Sequence, residues 1–315
     1  QGDGLSSIVF NLAAEPLIRC AKSRINEGYP LLGTTLKVTC AALLINRGKV
    51  DASRPISVEG LPIRALGSGE YETYLGVPIG SRLLFRPATC LSENLVKLMD
   101  SGLAPWQKLE VFRGHLLPSL AHYLATGRVE KSLLYSLDKD CADFLRTLAN
   151  VPHNAHSDFL YADRRVGGLG ACKLTEDADI WTVAKAAQLI DSGDAVVRDV
   201  AIAQANKNIY VALKRQPSFA LLSDYLSGSQ EGGLYEIRFA SSGANTWSRA
   251  RRAATHLGVR IDVSGDGTKT KLVADDVSVT SIKAVRGLRS VVRNRHTMAL
   301  SSAPHQGAAA RGLLL

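Results

Sequence analysis

The sequence is poor in cysteine, has no long apolar run and shows almost no charge excess over its first four-fifths. The five cysteines (Cys20, Cys40, Cys90, Cys141, Cys172) are dispersed, with no C-x-x-C pair and no close histidine partner. That spacing argues against a disulfide framework and a thiolate zinc site, and it suggests small buried hydrophobes in a reducing compartment. No apolar run approaches the roughly 18 residues that a bilayer span needs. The first residues also lack the charged-then-apolar layout of a signal peptide. A soluble, intracellular protein with no membrane partner is the expectation. At 21% charged and 46% hydrophobic residues, wholesale disorder is excluded. A length of 315 residues suits two domains, or one with an appendage.

What is present is a one-sided distribution of positive charge. From Arg249 to Leu315 there are 12 Lys and Arg against 4 Asp and Glu; the preceding 248 residues hold 26 against 25. Nearly all of the net +9 therefore sits in the C-terminal fifth. Such asymmetry points to a polyanion-binding end, with nucleic acid as the partner class.

Hydrophobic periodicity predicts an N-terminal helix over 5–25 with a kink at Pro16, and a strand within 36–46. Two short strands, 56–58 and 61–63, flank a Glu59-Gly60 turn, and 74–80 reads as a strand-turn element. From about residue 85 the pattern turns helical. Leu95, Leu98 and Met99 precede a stop at Gly102. Trp106 to Leu124 repeats at helical spacing with Pro118 expected to bend or break it. Further helices are predicted over 133–148, near 176–191 and 195–226, and over 281–296, where Gly287 interrupts the pattern. Residues 227–245 are Gly/Ser-rich and read as a linker.

Several strings carry more than periodicity. Gln1-Gly2-Asp3-Gly4-Leu5-Ser6 leads to Phe10-Asn11. Tyr74-Leu75-Gly76-Val77-Pro78-Ile79-Gly80 follows, then Trp106-Gln107-Lys108-Leu109 and Leu116-Leu117-Pro118-Ser119-Leu120-Ala121-His122. Asp163-Arg164-Arg165-Val166-Gly167-Gly168-Leu169-Gly170 closes the series. In this order they resemble the reverse transcriptases of non-LTR retrotransposons, in particular the "R-two" elements that insert into ribosomal DNA. The tail, Leu288 to Arg295 and then Pro304-His305-Gln306-Gly307, is similar to the linker of that clade.

The resemblance implies an α/β partial reverse-transcriptase palm (1–80), a mainly α-helical thumb with post-thumb helices (81–175) and a helical linker (176–245). A basic, helical nucleic-acid-binding region (246–315) would then lead toward a C-terminal endonuclease. The implied activity is RNA-directed DNA polymerisation, copying element RNA by target-primed reverse transcription, with the endonuclease of the parent polyprotein nicking target ribosomal DNA in the nucleus. Element RNA, target DNA and dNTPs would be the partners and substrates, and Mg²⁺ the cofactor. Gln1, Gly2 and Ser6 would shape the nucleotide pocket, and Leu75, Gly76 and Pro78 the primer grip. Lys108, Arg249, Arg251, Arg252, Lys283, Arg286, Arg289, Arg293 and Arg295 are the candidates for nucleic-acid contact. Trp106 is expected as a core anchor.

The metal-binding carboxylates of that family have no counterpart here. Residues 25–39 contain one acid, Glu27, where an A-D-D hairpin would stand, so a segment is expected to be missing near Gly33–Leu36. The chain alone is then expected to be inactive. The alternative is a catalytically inactive nucleic-acid-binding remnant. Two look-alikes are set aside: Asp275-Asp276 reads as a surface turn between two short strands, and Asp163, followed by two arginines, makes a poor dication cage.

Overall fold

The computed structural model describes residues 41–46, 49–53, 56–58, 61–74, 77–80, 88–126, 130–152, 154–213, 216–229 and 245–303. The chain divides into two compact units, 1–86 with 121–130 and 87–120 with 131–315. The expected helix at 5–25 and the expected gap near Gly33–Leu36 lie outside the described residues.

The first unit holds short strands: β1 (Ala41–Ala42), β2 (Ile45–Asn46), β3 (Lys49–Val50), β4 (Ile56–Val58), β5 (Leu61–Ala65), β6 (Tyr71–Tyr74) and β7 (Val77–Gly80). β5 is central, parallel to β1 with Ala41 opposite Arg64 and antiparallel to β4 with Val58 opposite Leu61. The β4–β5 pair is the one expected around Glu59-Gly60. β6 pairs antiparallel with β7, Tyr74 opposite Val77. The single strand expected over 36–46 is not continuous in its described part. β1 joins β5, whereas β2 pairs with β3, because an unalternating run such as Ala41 to Leu44 does not impose one register.

Further along the chain, α1 (Ala88–Asp100) precedes α2 (Pro105–Val111), which passes through a π-helical turn (Phe112–Leu116) into α3 (Leu117–Thr126). Pro118 therefore does not break the helix. It cannot donate to the carbonyl four residues back, and the wider turn just before it absorbs the mismatch. The Leu117 N–H bonds to Phe112 O, five residues back, and Ser119 Oγ donates to Leu116 O at 2.7 Å. Trp106 is 67% exposed on α2, so it is not the core anchor expected. Phe112 is that anchor: it is 1% exposed, its ring centroid 5.3 Å from that of Phe144.

α4 (Lys131–Leu148) and α5 (Asp158–Tyr161) lead to a short 3₁₀ turn (Arg164–Val166) and α6 (Leu174–Ile190). The N-cap residue of α6, Lys173, makes no side-chain capping bond. Asp138 on α4 supplies the cap instead, accepting from Leu174 N–H (2.6 Å), Thr175 N–H (3.1 Å) and Thr175 Oγ1 (2.7 Å). A carboxylate there satisfies orphan donors and complements the helix dipole. Burial raises the Asp138 carboxyl above its ordinary range, and the Thr175 and Leu174 bonds partly offset that.

The expected 195–226 helix divides into α7 (Ala195–Leu213) and α8 (Phe219–Leu226). Pro217 precedes Ser218, whose hydroxyl oxygen accepts from Leu221 N–H and starts a new helix. α9 (Thr246–Leu257) is followed by β8 (Arg260–Val263), β9 (Thr270–Ala274) and β10 (Val277–Thr280), an antiparallel sheet in the order β10-β9-β8. The basic region is thus not wholly helical as expected. Asp275 and Asp276 form its β9–β10 turn, both at positive φ (46° and 63°), as two-residue hairpin turns require. A 3₁₀ turn (Ser281–Lys283) enters α10 (Ala284–Ser302).

One core joins these elements. Ile180, Val183, Ala184, Ala187 and Ile190 of α6 are 0% exposed and pack with Ala250, Ala253, Ala254 and Leu257 of α9, Leu272 of β9, and Leu288 and Val292 of α10. The expected boundary at 245/246 runs through this cluster. Alanines on both faces let α6 and α9 approach closely, and each buried Ile or Leu contributes about 1.5–3 kcal/mol. Gly287 serves a similar end: a Cβ there would lie 2.5 Å from Val279 Cγ1, so the glycine seats α10 on β10.

Candidate nucleic-acid interface

The expected nucleotide-pocket residues Gln1, Gly2 and Ser6, and the primer-grip residues Leu75 and Gly76, lie outside the described residues. Pro78 is in β7, opposite Thr73. The basic candidates are described, and several are tied into the fold. Lys108 Nζ donates to Met99 O (2.5 Å) at the C-terminal end of α1, where a cation complements the helix dipole. Arg251 is half-buried and donates to the carbonyls of Tyr225 and Ser229, 2.6 Å each.

Two arginines of α10 are held by carboxylates. Arg289 Nε and Nη2 donate to Asp177 Oδ1 and Oδ2 at 2.6 and 2.7 Å. Burial pulls the Arg289 guanidinium down, but the Asp177 bond and charge outweigh it and the net shift is upward. Arg295 is bidentate to Asp275 (2.5 and 2.8 Å) and also donates to Leu257 O. With both oxygens engaged by Arg295, Asp275 does not fit a Mg²⁺ site. Among the described residues no cluster of His, Cys, Asp or Glu is arranged to hold a metal ion.

Arg252, Lys283 and Arg286 are exposed, and Arg249 is half-buried. Arg293 lies elsewhere: it lines a cavity of about 220 Å³ with Arg113, Asp163, Arg164, Arg165 and Gly170. The π-turn supplies Arg113, the 3₁₀ turn Arg164 and Arg165, and α10 Arg293. Glu110 bonds Arg164 (3.0 Å) and lies 3.7 Å from Arg113. Asp163 accepts from Arg165 N–H, and its own N–H donates to Thr297 Oγ1, anchoring the turn to α10. The Arg113 guanidinium is lowered, first by burial and then by the charge of Arg164, with Glu110 opposing.

The cysteines divide. Among the described cysteines Cys141 is buried, Cys172 half-buried and Cys90 exposed, so Cys90 does not fit the expected role. Burial, reinforced by Asp138, pushes the Cys141 thiol up to about 12, leaving it inert near neutral pH. No described helix is long and apolar enough to cross a membrane.

No protein-family profile matches the chain. Individual relatives do. Over 213 residues it is 28% identical to the retrovirus-related Pol polyprotein of the type-2 retrotransposable element R2DM of Drosophila melanogaster, a match covering 54% of this chain and 20% of that protein. Over 221 residues it is 25% identical to a Pol polyprotein of the type-1 retrotransposable element R2 of Popillia japonica, covering 55% of this chain and 36% of that one. The chain is homologous to R2 Pol polyproteins. A second Popillia japonica R2 Pol polyprotein is 34% identical over 85 residues, 26% of this chain and 19% of its own length. The chain thus matches well under half the length of these R2 relatives.

Arg113, Arg164 and Arg165 are not among the basic candidates from the sequence, although Arg164 and Arg165 stand within the Asp163–Gly170 string. Nothing in the spacing of 113, 164 and 293 says that the chain brings them together.

Proposed function

We propose that this chain belongs to the RNA-directed DNA polymerase of an R2-type non-LTR retrotransposon and acts by holding nucleic acid. The observation that carries this reading is its similarity to R2 Pol polyproteins over slightly more than half its length. The excess of Lys and Arg after Arg249 agrees with it. The parent polyprotein copies element RNA by target-primed reverse transcription from dNTPs in the nucleus, and its endonuclease nicks the ribosomal DNA target. Arg249, Arg252, Lys283 and Arg286 approach backbone phosphates, which positions a strand without reading its sequence. Gln1, Gly2 and Ser6 border the nucleotide, and Leu75, Gly76 and Pro78 the primer end. Asp275, whose two oxygens are held by Arg295, does not fit Mg²⁺.

A second reading, a catalytically inactive nucleic-acid-binding remnant, is favoured by the single acid, Glu27, in residues 25–39. Primer extension on an RNA template with Mg²⁺, together with retention of the hybrid, tests both. Retention of the hybrid without extension is expected of the chain alone. Extension would contradict the absence of a working metal site, and failure to retain either RNA or DNA would contradict both readings.

A further inference from the structure

The 220 Å³ cavity gathers more positive than negative side chains. Four guanidinium groups, from Arg113, Arg164, Arg165 and Arg293, face two carboxylates, Asp163 and Glu110. Both carboxylates are already engaged, Asp163 by the Arg165 N–H and Glu110 by Arg164. Arg113 Nη1 and Arg293 Nε are buried and find no hydrogen-bond acceptor among the described residues. A buried guanidinium nitrogen without an acceptor is costly, and here two belong to residues that line one cavity.

The shape of the cavity limits what could relieve this. It is smaller than the roughly 300 Å³ at which pockets for drug-sized ligands begin, and no apolar side chain lines it. Its polar lining suits a compact, multiply charged oxyanion, with the apolar Leu117, Pro118 and Leu174 bordering a separate cavity of about 160 Å³ that shares Arg113, Gly170 and Arg293. Gly170 keeps one side open. Its φ is +64°, and a Cβ there would lie 3.2 Å from Arg164 Cγ and 3.9 Å from Arg113 Cζ. Gly168 allows the same segment to lie against Ala162, where a Cβ would meet the Ala162 carbonyl oxygen at 2.4 Å. The glycines of Gly167-Gly168-Leu169-Gly170 thus shape the rim.

We propose that this cavity binds one phosphate group, its oxygens accepting from Arg113 and Arg293 within and from Arg164 and Arg165 at the mouth. Guanidinium forks match phosphate geometry, and charge-assisted bonds of this kind are the strong ones. The proposal deepens the nucleic-acid reading and rests on it for the source of the phosphate: a backbone or terminal phosphate of a bound strand. Free inorganic phosphate offers the same chemistry.

The test uses the full chain and two variants, Arg293→Gln in the wall and Arg165→Gln at the exposed mouth, the latter keeping the test informative should the former not fold. Arg260→Gln, which removes an exposed arginine outside the cavity, is the charge control. Thermal melting is followed against inorganic phosphate, and binding of an RNA–DNA hybrid against salt. The expected result is phosphate stabilisation of the parent and of Arg260→Gln, reduced in both cavity variants. The variants should also lose about 0.9 from the slope of log K against log salt, one phosphate contact. Phosphate stabilisation lost without any change in slope supports the site and assigns it to free phosphate. No phosphate stabilisation together with an unchanged slope overturns the proposal while leaving nucleic-acid binding intact. Loss of hybrid binding in the parent chain itself would instead overturn the function reading.

Discussion

His296 on α10 is clamped between two carboxylates: its Nδ1 lies 2.5 Å from Asp158 Oδ1 on α5, and its Nε2 lies 3.0 Å from Glu176 Oε2 on α6. Burial alone would lower this imidazole. The Glu176 hydrogen bond and charge and the Asp158 hydrogen bond outweigh burial, Lys173 opposes them, and the net shift is upward. A histidine whose folded pKa is raised stabilises the fold fully below its unfolded value, about 6.5. That stability is lost as the pH rises through the raised value. Urea midpoints of the parent should therefore fall as the pH rises from about 6.5. His296→Gln should be less stable at acid pH and show a flatter profile. A parallel profile in the variant would show that the clamp does not titrate with folding.

Arg289 and Asp177 offer a second tie between α10 and α6. Because Arg289 is about one-third exposed, solvent screens part of the interaction. Asp177→Asn should cost about 1.5–3 kcal/mol, the range for hydrogen bonds to charged groups. Arg289→Lys, which lacks the fork, should also destabilise. Chemical denaturation checks both, and a loss below about 0.5 kcal/mol in Asp177→Asn, the level of ordinary surface changes, would show that the pair does not hold the helices.

Gly287 should resist substitution even by the best helix former. Alanine gains about 1 kcal/mol in helix propensity, but its Cβ meets the stiff Val279 side chain, and overpacking costs about 1–3 kcal/mol. Gly287→Ala should be neutral to destabilising alone and stabilising in a Val279→Ala background. Additive effects in that double-mutant cycle would refute the contact.

The Asp275-Asp276 turn separates two roles. Asp276→Gly should stabilise by a few tenths of a kcal/mol to about 1 kcal/mol, since glycine adopts positive φ without strain. Asp275→Gly removes the partner of Arg295 and should not give that gain. Thermal melting of the two variants decides it, and equal gains would place Arg295 outside the stabilising network.

Much of the helical frame was legible in the sequence. Leu95 and Leu98 mark α1, Leu133 and Leu137 mark α4, and the Glu59-Gly60 turn marks the β4–β5 pair, because each follows from local spacing. β8 was not legible: Arg260-Ile261-Asp262-Val263 is short and half charged, and it becomes a strand only by pairing with β9. Nor was the engagement of the basic candidates. The partners of Arg289 and Arg295 lie 112 and 20 residues away, and no local pattern announces them. For the same reason the charge excess does not tell free cations from those already paired. The Arg113–Arg293 cavity arises only when the π-turn, the Gly-rich turn and α10 converge.

The central claim is that this chain grips nucleic acid through phosphate contacts. Filter binding of an RNA–DNA hybrid to the full chain across a salt series tests it most directly. Retention near 50 mM salt is expected, with a slope of log K against log salt of about −3 or steeper, since each phosphate contact contributes roughly −0.7 to −0.9. Absence of retention at that salt, or a slope near zero, would contradict it.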